Sequence, residues 1–259
     1  MWDFLCVNDI SRADITFLRH SASEIKQLRS KQMGSKKNFL SSNTPNMTRL
    51  DMYIPKNMAL HDKQAIADLI NQFGFGLLIS PSLEATHLPL LYEAAEDGQE
   101  YLYGHMAKAN GHWQQLDGQQ VLVVFSGPHS YISPTWYASG PAVPTWNYAA
   151  VHCTGRVEIL DASAAAKAID KLIEKYEPSL SGNAAIMPAE YVDKLSQAIV
   201  GFRVIVDSIQ AKEKLGQHRK REDQMGVYHA LANSASAESR ALAEYMLNRN
   251  LGTGQNKEA

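Results

Sequence analysis

Between Phe75 and Leu160 the apolar residues come in short runs broken by turn residues, and this spacing constrains the fold more than any other feature of the chain. The runs are Phe75 to Ser80, Thr86 to Tyr92, Tyr101 to Ala107, Val121 to Phe125, Val143 to Thr154 and Arg156 to Leu160. Most have the length of a strand, and the links between them include Glu96-Asp97-Gly98, Leu116-Asp117-Gly118 and Ser126-Gly127-Pro128, all rich in turn formers. A parallel crossover needs roughly a dozen residues or more. Links this short predict antiparallel pairing.

Helical periodicity flanks the strands. Leu60, Ala65, Ile66, Leu69 and Ile70 share a face in the segment Ala59 to Phe73, which Gly74 ends. After Asp161, Ser163 is placed to cap a helix with the stripe Ala168, Leu172, Ile173 and Tyr176, stopped by Pro178. A further helix is expected from Pro188 to Gln197. Ile199 to Ile209 then alternates, with Val200, Phe202, Val204 and Val206 on one face and Arg203 and Asp207 on the other, which reads as a late strand returning to the sheet. Glu222 to Asn250 reads as one or two helices before a frayed polar tail.

Residues 1 to 51 have a different character. Eight basic residues (Arg12, Arg19, Lys26, Arg29, Lys31, Lys36, Lys37, Arg49) stand against five acidic ones (Asp3, Asp9, Asp14, Glu24, Asp51), a net +3, with many Ser and Asn after Ser35. A flexible extension, or translated sequence upstream of a start at Met52, explains this more simply than a basic arm on phosphates. Over the whole chain the formal charge is -2, so no global field draws it toward nucleic acid or anionic lipid. DNA binding would need a local patch. The best is Lys212 to Arg221, which a solvated turn explains more simply, and there is no convincing helix-turn-helix. The sequence shows neither a membrane-length apolar stretch nor a signal peptide, and Cys6 and Cys153 lie in segments too unlike to suggest a disulfide. A cytoplasmic protein is expected.

Chemistry concentrates between residues 87 and 152, where five of nine histidines (His87, His105, His112, His129, His152) and three of four tryptophans (Trp113, Trp136, Trp146) fall. Such rings can stack on a planar cofactor while imidazoles and amides read its rim, and they can equally pack a barrel. Zinc signatures are missing: there is no HExxH, no CxxC and no histidine pair one helical turn apart. FSGPH around Ser126 is not a GxSxG elbow, and no GxGxxG or GxxxxGK nucleotide loop occurs. LYGHMAKAN, Leu102 to Asn110, ends a strand with Gly104, His105, Lys108 and Asn110 close together. A phosphate suits it, because glycine permits close backbone approach while lysine and protonated histidine are charge-assisted donors. Lys108 as a solvated residue at a strand end is the plainer alternative.

Longer motifs then fall in a specific order: MYIPK (Met52 to Lys56), HLPLL (His87 to Leu91), GHMAKAN (Gly104 to Asn110), FSGPHSYISPTWY (Phe125 to Tyr137), VPTWNYAAVHCTG (Val143 to Gly155), IVGFRV (Ile199 to Val204) and KLGQHRK (Lys214 to Lys220). In these the chain resembles the PaiB family of FMN-binding transcriptional regulators. The resemblance implies an α+β fold, an antiparallel split β-barrel like that of the pyridoxamine-phosphate-oxidase-like flavoproteins, with peripheral helices. It also implies FMN at the interface of a homodimer and negative regulation of protease and sporulation genes. The expected division is an extension over 1–51, the FMN-binding barrel over 52–232, and a C-terminal helix and tail over 233–259.

With the motifs as guide, Lys108 and His105, with Asn110 beside them, are the candidates for the FMN phosphate. Ser126, His129, Tyr131 and Ser133 are expected to line the same mouth, and Trp146, Asn147 and the turn His87, Leu88, Pro89 to approach the ring system. Two positions depart from the family pattern KLSQN, Gly216 for serine and His218 for asparagine, and residues 1–51 lie outside it. Two other functions compete with an FMN-binding regulator. One is a flavin-dependent oxidoreductase, in which His87, His129 or His152 would act as acid or base. The other is a haem-binding barrel.

Overall fold

The computed structural model describes residues 52–255, so the expectations for 1–51 and for the last four residues lie outside it. Seven strands form one antiparallel sheet: β1 (Phe75–Ile79), β2 (Ala85–Pro89), β3 (Leu91–Ala94), β4 (Glu100–Ala107), β5 (Gln120–Ile132), β6 (Thr145–Ile159) and β7 (Ile199–Lys214). Their order is β2-β1-β5-β6-β7-β4-β3. The strands at the two ends of this order, β2 and β3, are separated in the chain by Leu90 alone. One residue can join opposite ends of a seven-stranded sheet only if the sheet curls round on itself, which makes a split barrel with its seam at Leu90. That residue is fully buried, and its N–H donates to the Gly74 carbonyl at 2.8 Å.

Period-two alternation fills the barrel. Val121, Val123 and Phe125 of β5, Val151 and Cys153 of β6, Phe202 and Val204 of β7, and Leu102 and Met106 of β4 all point into one core. Helix α1 (Lys63–Gln72) adds Ala65, Ile66, Leu69 and Ile70 to it. Helices α2 (Ala162–Tyr176) and α3 (Ala189–Ser196) form the excursion between β6 and β7, and α4 (Arg221–Ala232) and α5 (Ala237–Asn248) close the fold. Leu242, Ala243, Tyr245 and Met246 of α5 belong to the same core, and Glu213 of β7, buried, accepts from Tyr245 Oη at 2.6 Å and Arg249 Nε at 2.7 Å.

The structure departs from the sequence reading at several points. Helix α1 begins at Lys63, because Asp62 caps it by accepting from the N–H groups of Gln64 and Ala65, and Ala59 and Leu60 instead lie along β7. Thr86 to Tyr92 is two strands rather than one. Ser126-Gly127-Pro128 is a bulge inside β5, not a turn: pairing jumps from Ser126 opposite Ala150 to His129 opposite Tyr148. Val143 to Leu160 contains one strand, β6, whose register shifts at Thr154 and Gly155, where a Cβ would run into the Ile205 carbonyl. Strand β7 continues five residues beyond Ile209. Asp161, not Ser163, caps α2, accepting from the Ala164 N–H at 2.8 Å. Residues 252–254 are buried rather than frayed, and the Gly254 carbonyl accepts from Arg221 Nε at 2.8 Å. No helix among the described residues is long and apolar enough to cross a membrane.

Candidate functional site

The bulge in β5 decides what the outer wall of the barrel displays. In a regular strand Ser126 and His129, three residues apart, would face opposite sides. The bulge puts both outside, followed by Tyr131. Trp146, Tyr148 and Ala150 alternate outward on the neighbouring β6. Between the two strands lies a cleft of about 350 Å³ lined by Ser126, Gly127, His129, Trp146, Tyr148, Ala149 and Ala150.

The side chains here are arranged for a planar partner. Trp146 is 52% exposed and Tyr131 42%, a cost in solvent that an isolated surface would not favour. Their rings meet edge to face with centroids 6.4 Å apart, and the His129 ring lies 6.2 Å from Trp146. His129 Nδ1 is 3.0 Å from the Gly127 carbonyl, which can only accept. In the neutral ring Nδ1 therefore carries the proton, leaving Nε2 as an acceptor beside the cleft. His152, also on this wall between Val124 and Gln210, has its pKa lowered by burial.

The other candidates divide into groups. His87 is outside β2, stacked on Phe75 at 6.0 Å, whereas Leu88 points into the core and Pro89 pairs with Phe75. Asn110 holds the turn Gly111–Gln115, accepting from the His112 N–H at 3.1 Å and donating to Thr86 Oγ1 at 3.4 Å. His112 is fully buried with Nδ1 2.7 Å from the same Thr86 oxygen, so the HLP and GHMAKAN motifs do meet, through Thr86. His105 Nδ1 and His112 Nε2 are the buried side-chain nitrogens and oxygens left without a partner among the described residues. Burial lowers the His105 pKa, so that ring is neutral near pH 7 and Lys108 is the cation of the segment.

Lys108 follows β4 directly, and its carbonyl accepts from Trp113 Nε1 at 3.1 Å. Its side chain lines a second cleft, of about 370 Å³, with Trp113, Ile159 and the start of α2, apart from the cleft on β5 and β6 within one chain. Ser133 caps the turn Pro134–Trp136, and Asn147 is buried on the inner side of β6. The structure thus brings together Ser126, His129, Tyr131 and Trp146, ties the strand of His87 to Asn110, and gives Leu88, Ser133 and Asn147 structural places.

Sequence reasoning assigned neither Tyr148 nor Lys212 to the site, placing Lys212 only at the start of a basic run. Lys212 stands opposite Ala150 across β6 and β7, and Tyr148 opposite Lys214. The period-two pattern of β6 could have flagged Tyr148, two residues from Trp146, but nothing local marks β7 as running on to Lys212.

This residue set suits FMN: an exposed aromatic platform for the ring, an imidazole acceptor and a hydroxyl for its rim, a cleft of ordinary small-ligand size, and a lysine after β4 for the phosphate. The comparisons agree. A family described as "Putative FMN-binding domain" matches residues 52–208. Protease synthase and sporulation protein PAI 2 of Bacillus subtilis (strain 168) is 36% identical over 207 residues, 75% of this chain and 96% of that protein. The chain belongs to the PaiB family of FMN-binding proteins. Another member-like relative, an uncharacterized protein of Emericella nidulans, is 30% identical over 208 residues, 65% of this chain and 83% of that protein. Among solved structures, an FAD and heme binding protein from Mycobacterium smegmatis aligns over 61% of this chain and 74% of its own, with 15% identity and a TM-score of 0.48. The match to the FMN-binding domain family covers every strand from β1 to β6 and the larger part of β7, so all residues of the aromatic cleft lie inside it.

Proposed function

We propose that this PaiB-family protein is a cytoplasmic negative regulator that carries FMN at the joint of a homodimer. The observation that carries the reading is the aromatic cleft on β5 and β6, open on one side and continuous with an apolar strip. Phe75, Leu77 and Ile79 of β1 and Leu122 and Val124 of β5 share the outer wall, and Phe75 is 66% exposed. A contiguous apolar face of this kind favours association. Because the cleft and Lys108 lie apart in one chain, a second copy that covers the strip can bring the phosphate-binding lysine of one to the aromatic platform of the other.

In this reading Trp146 and Tyr131 support the isoalloxazine, Ser126 and His129 Nε2 read its rim, and Lys108 takes the phosphate. Bound FMN would supply electron-transfer chemistry, while the protein supplies orientation and electrostatics. The regulatory role rests on the family resemblance, and the name of the Bacillus relative adds only protease synthase and sporulation. It draws no support from the basic run at the end of β7: Lys212 is buried, Lys214 donates to Thr145 Oγ1, Arg219 lies over Tyr137, and Arg221 holds Gly254. One observation favours an oxidoreductase as the second reading, the acceptor nitrogen of His129 beside the cleft, where a base would stand.

An absorption spectrum of the purified protein tests the cofactor. The expected result is the two-banded visible spectrum of an oxidised flavin, with the pigment released as FMN on denaturation. A haem Soret band, or a protein that stays colourless after incubation with FMN, would overturn the reading.

A further inference from the structure

Lys212 is an unusual lysine. It is only 7% exposed, yet it is in none of the ion pairs found among the described residues. An unpaired ammonium is costly to bury unless something replaces its water. Here the replacement is partial. One N–H donates to the Tyr53 carbonyl at 3.0 Å, and Nζ lies between two aromatic rings, 5.4 Å from the centroid of Tyr53 and 5.2 Å from that of Tyr148. Aromatic faces stabilise the charge but take up donor capacity poorly. An ammonium has three donors, and among the described residues a single carbonyl accepts from this one.

The position of this cation gives it a use. Lys212 stands directly opposite Ala150, and both Ala150 and Tyr148 line the aromatic cleft. The ring that shields Nζ is thus a wall of the cleft itself. Two residues further along β7, opposite Tyr148, Lys214 is engaged with Thr145 Oγ1 at 2.6 Å, which leaves Lys212 as the cation bordering the platform between Tyr148 and Ala150.

We propose that Lys212 anchors the oxygen-bearing pyrimidine edge of the flavin ring, an assignment that rests on the flavin reading above and deepens it. The edge presents carbonyl oxygens and a ring nitrogen that accept hydrogen bonds, whereas the opposite, dimethylbenzene edge is apolar. A caged cation at one border of an aromatic platform therefore selects which way round the ring lies. It acts on the ring, not on the phosphate, so it contributes equally to FMN and to riboflavin.

The test is calorimetric titration of the apoprotein with FMN and with riboflavin, for the wild type, Lys212→Met and Lys212→Arg. Methionine keeps the length of the side chain and removes the charge, and Lys212→Gln serves in its place if the methionine variant does not fold. The proposal expects Lys212→Met to weaken both ligands by the same factor, about tenfold or more, the loss typical of a charge-assisted hydrogen bond. Lys212→Arg, which restores a donor cation, should recover most of it. A loss for FMN alone would move Lys212 to the phosphate and overturn the proposal. So would unchanged affinity for both, since a lysine that only ties down Tyr53 would alter melting temperature and leave binding alone. A wild-type protein that binds neither ligand would instead sink the flavin reading on which the proposal stands.

Discussion

If the protein is the homodimer proposed above, Val124→Asp is expected to yield a folded monomer that has lost most of its FMN. Val124 lies on the outer wall of the barrel, opposite Leu77 on one side and His152 on the other, in the middle of the apolar strip. In a single chain an aspartate there stays in contact with water, so the barrel core formed by Val123 and Phe125 is undisturbed. In a twofold dimer the same substitution appears twice in one interface. Each carboxylate would be buried against apolar side chains without a partner, a cost of several kcal/mol per ion. Light scattering should report the mass of one chain, with the melting temperature of the barrel still cooperative and flavin content at least tenfold lower. A variant that remains a dimer with full FMN would place the interface elsewhere.

The second large effect concerns Lys108. Loss of a charge-assisted hydrogen bond costs about 1.5 to 3 kcal/mol, so Lys108→Ala should weaken FMN roughly tenfold or more. Riboflavin lacks the phosphate, and its affinity should hardly change. The preference for FMN over riboflavin therefore narrows, the opposite of the equal losses expected at Lys212. His105 does not compensate, because burial keeps its imidazole neutral at the pH of the titration. An equal loss for the two ligands would take Lys108 away from the phosphate, and no loss would remove it from the site.

Most of the strand and helix content was legible because it rests on local periodicity: the alternation of Val200, Phe202, Val204 and Val206, or the stripe Ala65, Ile66, Leu69, Ile70, is written in neighbouring residues. What escaped depends on partners distant in the chain. Ser126-Gly127-Pro128 has the composition of a turn, and the same chemistry serves a bulge: glycine tolerates the close Ala149 carbonyl, and proline needs no ladder partner there. Only the pairing with β6 tells the two apart, and that pairing also puts Asn147 inside and Trp146 outside.

The end of β7 was lost for a related reason. After Ile209 the inward positions include Glu213, a charge that reads as surface until Tyr245 and Arg249, more than thirty residues later, are seen to bind it. Lys212 was hidden with it. The motifs carried the cofactor and the family without this detail, but they did not distinguish residues that face the cleft from those, such as Leu88 and Ser133, that build the elements around it.

Whether FMN sits at the joint of two chains, as proposed, can be read by sedimentation velocity followed at both the protein and the visible flavin absorbance. All bound flavin should sediment with the dimer, at one FMN per chain, and dilution to the monomer should free the flavin as it separates the chains. Flavin that travels with a stable monomer at full occupancy would contradict the proposal.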